Sequence, residues 1–219
     1  MLSKTTAFVT GGGSGLGAAA VHALLARGAS VMVGDLSSEA FEQNILKHVN
    51  QSDKVDFCPV DVTQPETITS ALDDISSKFQ EPLSAVVNSA GIATASKTLN
   101  KKGLPHKAAD FENVLKVNTV GAFHVARLAA ERMQNNPLND QNLRGCVIQT
   151  ASIAAYEGQV GQVAYSASKA AIVGMTLPMA RDLAPLGIRV MTIVRSSTLT
   201  LIVPSDSSSR ELHLTPASN

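Results

Sequence analysis

Short apolar runs alternate with helical-period stretches along most of this 219-residue chain. The pattern predicts strands at Thr6–Thr10, Ser30–Asp35, Val55–Val60, Leu83–Asn88, Cys146–Thr150 and Ile188–Val194. Between them it predicts helices over Ser14–Arg27, after Asp35 through about Val49, over Pro65–Phe79, Asn118–Asn135 and about Val163–Ala184. In Ser14–Arg27 the apolar stripe is Leu16, Ala20, Ala23, Leu24 and Ala26. The strands read as continuous apolar runs, as in parallel sheets covered on both faces. Strands alternating with helices imply right-handed crossovers. The expected fold is therefore α/β, a doubly wound parallel sheet in a three-layer α/β/α arrangement.

Two stretches break the rhythm. Thr94–Ala109 reads as a long polar loop carrying Lys97, Lys101, Lys102 and Lys107, and loops of that length are usually functional or disordered. Ser196–Asn219 holds seven serines in 24 residues, with Pro204 and Pro216, and is expected to lack structure. The reading is one domain over residues 1–194 with a divergent tail over 195–219.

Composition narrows the function. Lys plus Arg and Asp plus Glu are 18 each, so the net charge is zero. A surface built to hold nucleic acid or an acidic membrane needs excess positive charge, so neither partner is expected. No apolar run has the roughly 18 residues of a membrane span, and no cleavable presequence is visible after Met1. Cys58 and Cys146 sit in or beside apolar runs without a CxxC motif and read as reduced thiols. The five histidines show no metal-ligand spacing, so no metal is expected.

The chemistry-bearing residues cluster at strand ends. Between the first strand and first helix lies Thr10-Gly11-Gly12-Gly13-Ser14-Gly15-Leu16-Gly17. Gly11, Gly15 and Gly17, with Ser14 and Leu16 between them, have the spacing of a pyrophosphate-binding turn. There the helix N-terminus offers free amides to an anion. Asp35 ends the second strand, 18 positions after Gly17, where a carboxylate accepts hydrogen bonds from an adenosine ribose. Its charge repels a 2′-phosphate, and no Arg or Lys stands nearby, so NAD(H) is expected rather than NADP(H). A helix-capping role for Asp35 is the alternative. Tyr165 and Lys169 share a helix face at four-residue spacing. Ser152 lies just beyond the fifth strand, and Asn118 starts the helix before that strand.

With these motifs in this order, the chain resembles the short-chain dehydrogenase/reductase family. The matching elements are TGGGSGLG at 10–17, Asp61-Val62, Asn88-Ser89-Ala90-Gly91, Asn118, Ser152 and Tyr165-Ser-Ala-Ser-Lys169. Within it, Thr150–Tyr165, Gly174–Ile193 and the loop at Ala95–Thr98 look like the type-2 3-hydroxyacyl-CoA dehydrogenases, a mitochondrial group also described as hydroxysteroid dehydrogenases. The resemblance implies a Rossmann domain that oxidises a secondary alcohol with NAD, on a 3-hydroxyacyl-CoA or hydroxysteroid substrate. It implies that Tyr165 exchanges the proton and that Lys169 favours the tyrosinate and holds the nicotinamide ribose. It also implies that Ser152 binds the reacting oxygen and that Asn118 holds a water leading to Lys169. Asn88, Ala90 and Gly91 would border the adenosine, and Asp61 and Val62 the adenine. Gln159 and Gln162 would reach substrate or stand in a solvated loop. The resemblance further implies a homo-oligomer through helices 118–135 and 163–184, and a mitochondrial location with the cytoplasm as alternative.

The likeness is expected to end near residue 193. The family's Pro-Gly segment, last helix and last strand are not readable in Ser196–Asn219, and Val194-Arg195-Ser196 stands in place of the Pro-Gly segment. The sixth strand would then be an apolar sheet edge. A non-catalytic nucleotide-binding domain, or a partner for full-length subunits, is the rival expectation.

Overall fold

The computed structural model describes residues 2–49 and 52–196. Six strands form one parallel sheet in the order β3-β2-β1-β4-β5-β6. They are β1 Thr6–Thr10, β2 Ser30–Asp35, β3 Val55–Pro59, β4 Leu83–Asn88, β5 Gly145–Ser152 and β6 Ile188–Arg195. The chain winds outward from β1 to β3, then crosses back to β4 on the other side of β1. That reversal opens a crevice at the carboxyl ends of β1 and β4.

Helices cover both faces. Helices α1 (Gly15–Leu25) and α2 (Ser38–Asn44) enclose a core of Ala7, Val9, Val21, Val31, Val33, Phe41 and Ile45. On the other face lie α3 (Pro65–Lys78), α4 (Ala108–Leu115), α5 (Ala122–Met133) and α6 (Val163–Leu183). The larger core there includes Phe8, Met32, Ile68, Leu72, Ile75, Val86, Val125, Met133, Val147 and Ile188. Every residue of β1 is buried, which accounts for its uninterrupted apolar reading.

Local chemistry sets the helix limits. Ser37 caps α2 by accepting from the Ala40 amide at 3.1 Å. Pro65 begins α3, where its missing amide costs nothing. Gly187 adopts a left-handed φ of 69° between α6 and β6.

The structure departs from the sequence reading at several boundaries. Helix α2 stops at Asn44, and Leu46–His48 forms a separate 3-10 turn. The polar loop ends at Lys107, because Phe111, Val114 and Leu115 give α4 its own apolar stripe. Asn118 does not start a helix: it sits in a π-turn, Lys116–Gly121, that joins α4 to α5 in one unbroken run. Ser152 is the last residue of β5 rather than one beyond it, and β6 includes Arg195.

The lysine-rich loop is ordered. Leu99 and Pro105 form a bridge around a turn, where Asn100 Oδ1 accepts from the amides of Lys102 (2.8 Å) and Leu104 (3.1 Å). Ser96 donates its amide to Gly161 O at 2.8 Å, docking the loop onto the segment before α6.

Strand β6 is a sheet edge among the described residues. Its Ile188 and Val190 face the larger core, so Met191 and Ile193 face the opposite side. They are 43% and 59% exposed. The divergent tail beyond Ser196 lies outside the described residues.

Candidate active site

The glycine loop is built by close approaches. Gly11 has φ +64°, and a Cβ on it would lie 2.7 Å from Ala90 Cα and 2.8 Å from Ala90 N. The turn after β1 and the turn after β4 can therefore touch only through a glycine. A Cβ on Gly17 would strike the Gly11 carbonyl oxygen, so the start of α1 also needs its glycine. Gly15 differs: its φ is +52°, yet nothing lies within 4 Å of where its Cβ would be. Its bare backbone faces open space.

The first turn of α1 supplies donors to that space. Ser14 takes an extended conformation and makes no capping bond, and no acidic residue occupies the first turn. Uncapped amides with a partial positive end beside an open glycine turn fit a diphosphate. Leu16 is exposed on the same turn.

Asp35 is fixed beside this loop. Its Oδ2 accepts from the Gly13 amide at 2.8 Å, and its Oδ1 accepts from the Leu36 amide at 2.7 Å. It is not the cap of α2, a position held by Ser37. Asn44 donates from Nδ2 to Gly13 O at 2.8 Å, so Gly13 is gripped at both its amide and its carbonyl. The sequence reading missed Asn44, because a contact across 31 residues leaves no local spacing to read.

The other predicted cofactor residues divide into rim and support. Asp61 closes a turn at the end of β3 by accepting the Thr63 amide at 2.8 Å. Val62 is buried, and Gly121 packs against it. Asn88 is buried and its side chain is committed to protein. It donates to Ala122 O (3.0 Å) and Gln149 Oε1 (2.9 Å), and accepts from Thr10 Oγ1 (3.3 Å). Asn88 thus ties β1, β4 and β5 together beneath the rim formed by Ala90 and Gly91. Thr10, the first residue of the glycine motif, and Gln149, which belongs to no motif, complete that network.

Ser152, Tyr165, Lys169 and Asn118 surround the carboxyl end of β5. Ser152 Oγ accepts from the Ala154 amide at 3.2 Å, which orients the hydroxyl on the strand end. Tyr165 is half-buried on the first turns of α6. One helical turn on, Lys169 Nζ lies 5.7 Å from the centre of the Tyr165 ring, within cation–π range. Lys169 is 7% exposed, and its ammonium donates to Thr150 O at 2.8 Å. Burial pushes its pKa down to about 8, because desolvation penalises the charged form.

Asn118 faces the same space as Lys169. A Cβ on Gly91 would lie 3.1 Å from Asn118 Oδ1 and 3.8 Å from Lys169 Nζ. The absent side chain of Gly91 leaves both polar atoms on one small gap.

Gln159 and Gln162 stand apart from this group. They line a cavity of about 490 Å³ together with Lys97, Leu99, Val163 and Ser166. Gln162 Oε1 accepts from the Gln159 amide at 3.1 Å, so the two glutamines brace their own turn. Ser152 and Tyr165 are not among the lining residues. Among the described residues there is no group of three or more metal-ligating side chains, and no helix is long and apolar enough to cross a membrane. Cys58 and Cys146 are free, and burial raises both thiols, Cys58 to about 11.

A family model described as short chain dehydrogenase matches residues 5–211. The chain belongs to that family. The match runs past residue 193, where the motif reading placed its end. The 3-hydroxyacyl-CoA dehydrogenase type-2 of Homo sapiens is 51% identical over 188 residues, covering 85% of this chain and 70% of its own. That of Drosophila melanogaster is 48% identical over 194 residues, covering 88% and 74%. A crystal structure of 3-hydroxyacyl-CoA dehydrogenase type-2 from Mycobacterium avium superposes with a TM-score of 0.81 at 33% identity, covering 88% of this chain and 74% of the other. The chain is therefore an oxidoreductase closely related to these enzymes, whose family generally uses NAD(P).

The buried Lys169 gives a pH signature independent of turnover. Its folded pKa of about 8 lies below the ordinary 10.5, so between these values the unfolded chain holds a proton that the folded chain does not. Stability rises with pH across that window. Lys169→Met removes the penalty, so its stability relative to wild type should be greatest below pH 8 and should shrink toward pH 10. Urea denaturation of both proteins across that range reads it, and a pH-independent difference would contradict the burial argument.

Proposed function

We propose that this chain is an NAD-dependent dehydrogenase that oxidises the secondary alcohol of a 3-hydroxyacyl-CoA, with hydroxysteroids as the neighbouring substrate class. The observation that carries the reading is that Lys169 Nζ lies 5.7 Å from the Tyr165 ring and shares the gap at Gly91 with Asn118, while bonding the strand that ends in Ser152. The names of the relatives support the substrate, and the resemblance to that group supports a mitochondrial location.

The residues fit the dinucleotide. The uncapped first turn of α1 and the open Gly15 would hold the pyrophosphate, with Ser14 and Leu16 beside it. The free lone pairs of Asp35 would take the adenosine ribose hydroxyls, and its charge would oppose a 2′-phosphate. Lys169 would exchange Thr150 O for the nicotinamide ribose. The bound cofactor supplies the hydride acceptor at this edge of the sheet.

This chain's own residues handle the proton. Ser152 Oγ, oriented by the Ala154 amide, would hold the substrate hydroxyl. Tyr165 Oη would take its proton as general base. The ammonium of Lys169, close to the ring and poorly hydrated, would stabilise the phenolate charge more strongly than an exposed lysine could. Asn118 Oδ1 would then order water in the gap above Gly91 for proton return.

Pairing of two chains through α5 and α6 belongs to the same proposal. Phe123 and Leu177 are exposed on these helices. Between the helices Phe123, Ala130, Met179, Leu183 and Leu186 line an apolar groove, with Arg127, Glu131 and Asp182 at its rim. Apolar floor and mixed charges suit a self-complementary two-fold interface.

Turnover of 3-hydroxybutyryl-CoA, followed by NADH absorbance, tests the reaction. We expect activity with NAD⁺ to exceed that with NADP⁺, and Asp35→Ala to erase much of the preference. Tyr165→Phe should retain NADH binding and lose roughly 10²–10⁴-fold in kcat. Equal use of both cofactors would refute the Asp35 assignment. Binding without turnover would leave a nucleotide-binding domain as the function. Light scattering should give twice the 22.8 kDa chain mass, and a clean monomer would remove the helix-face interface.

A further inference from the structure

The π-turn that carries Asn118 brings two consecutive side chains onto one residue of α6. Asn118 Nδ2 donates to Ser168 Oγ at 3.0 Å, and Thr119 Oγ1 donates to Ser168 O at 3.4 Å. Ser168 is fully buried. Its hydroxyl has one proton, and that proton is given to Tyr165 O at 2.7 Å. Toward Asn118 the hydroxyl can therefore only accept. The direction of the bond is fixed.

The rest of the Asn118 amide is committed as well. Its Oδ1 accepts from the Ile92 amide at 2.8 Å, and its Nδ2 donates to Ile92 O at 2.9 Å. Both Nδ2 protons are then used, one on the turn after β4 and one on α6. Oδ1 keeps one lone pair, and it borders the gap shared with Lys169 Nζ above Gly91. Ile92 fixes which way the amide points. Ser168 fixes where the amide sits relative to the helix bearing Tyr165 and Lys169. Without the Ser168 acceptor, one buried donor loses its partner and the amide is free to swing about the Ile92 pair.

From this geometry we infer that Ser168 is a positioning residue. It locks Asn118 to α6, and so sets the distance between the free lone pair of Asn118 Oδ1 and the ammonium of Lys169. This rests on the reaction proposed above for Tyr165 and Lys169, because the consequence of misplacement is read on proton transfer. The sequence places Ser168 inside the Tyr165–Lys169 spacing, where it looks like filler. Its role becomes visible only when the π-turn is packed against it.

Two readouts separate this role from a structural one. The first needs no turnover: solvent exchange of the Asn118 side-chain amide protons, observed by NMR on the full chain. Both protons should exchange slowly in wild type. In Ser168→Ala one should exchange at least tenfold faster while the backbone amides of α6 stay protected. The second is the pH profile of kcat. Ser168→Ala should lower kcat roughly tenfold at unchanged cofactor KM and displace the profile, and Ser168→Thr should recover part of the loss by restoring the hydroxyl. In an Asn118→Ala background, Ser168→Ala should have no further effect on kcat. Unchanged amide exchange would overturn the inference, as would equal losses of kcat in both backgrounds. If wild type turns over no 3-hydroxyacyl-CoA, the proposed reaction fails, and amide exchange still decides whether Ser168 holds Asn118.

Discussion

The site depends on a backbone contact that tolerates no side chain. The turn after β1 and the turn after β4 meet where Gly11 approaches Ala90, at distances a Cβ could not survive. That contact closes the floor of the crevice created when the chain reverses from β3 to β4. Above it, Gly17 lets α1 start against the Gly11 carbonyl, so the uncapped helix end points over the same floor. A bulkier turn at either place would lift the helix end away from the strand ends that carry Ser152 and, through Thr150, Lys169.

The floor is stiffened from beneath by polar groups that do no chemistry. Thr10, Asn88 and Gln149 bond across three neighbouring strands in a buried row. Such a row is costly unless its members find partners; here the bonds of Asn88 to Thr10 and Gln149 tie the strands where the loops emerge, while the buried Gln149 Nε2 is left without a partner. The same logic holds around Asn118, whose bonds to Ile92 and Ser168 join the turn after β4 to α6. Two networks of neutral hydrogen bonds thus brace the strand ends and α6 around the candidate site, and Lys169 is the only charged side chain buried among the described residues.

Much of the fold was legible in the sequence, because strand burial and helix amphipathicity are written in local spacing. Strands β1, β2 and β4 begin and end where the apolar runs do. Helix α4 was missed although Phe111, Val114 and Leu115 carried its period, since the polar, lysine-rich stretch before it read as one continuous loop. The π-turn could not be read, because it depends on what Asn118 and Thr119 bond across about fifty residues. At the site, Gly11, Asp35, Tyr165 and Lys169 were legible from spacing. Asn44, Gln149 and Ser168 were not, because their partners are distant in sequence and their residue types are common in ordinary turns and helices.

If cofactor and chemistry share one edge of the sheet, a crystal structure of the chain with NAD⁺ tests that placement most directly. The expected density runs from Asp35 at the adenosine ribose, over the amides of Ser14–Gly17 at the pyrophosphate, to Lys169 at the nicotinamide ribose, with Nζ moved off Thr150 O. Dinucleotide bound instead in the cavity between Lys97 and Gln162, with Lys169 still on Thr150, would contradict it.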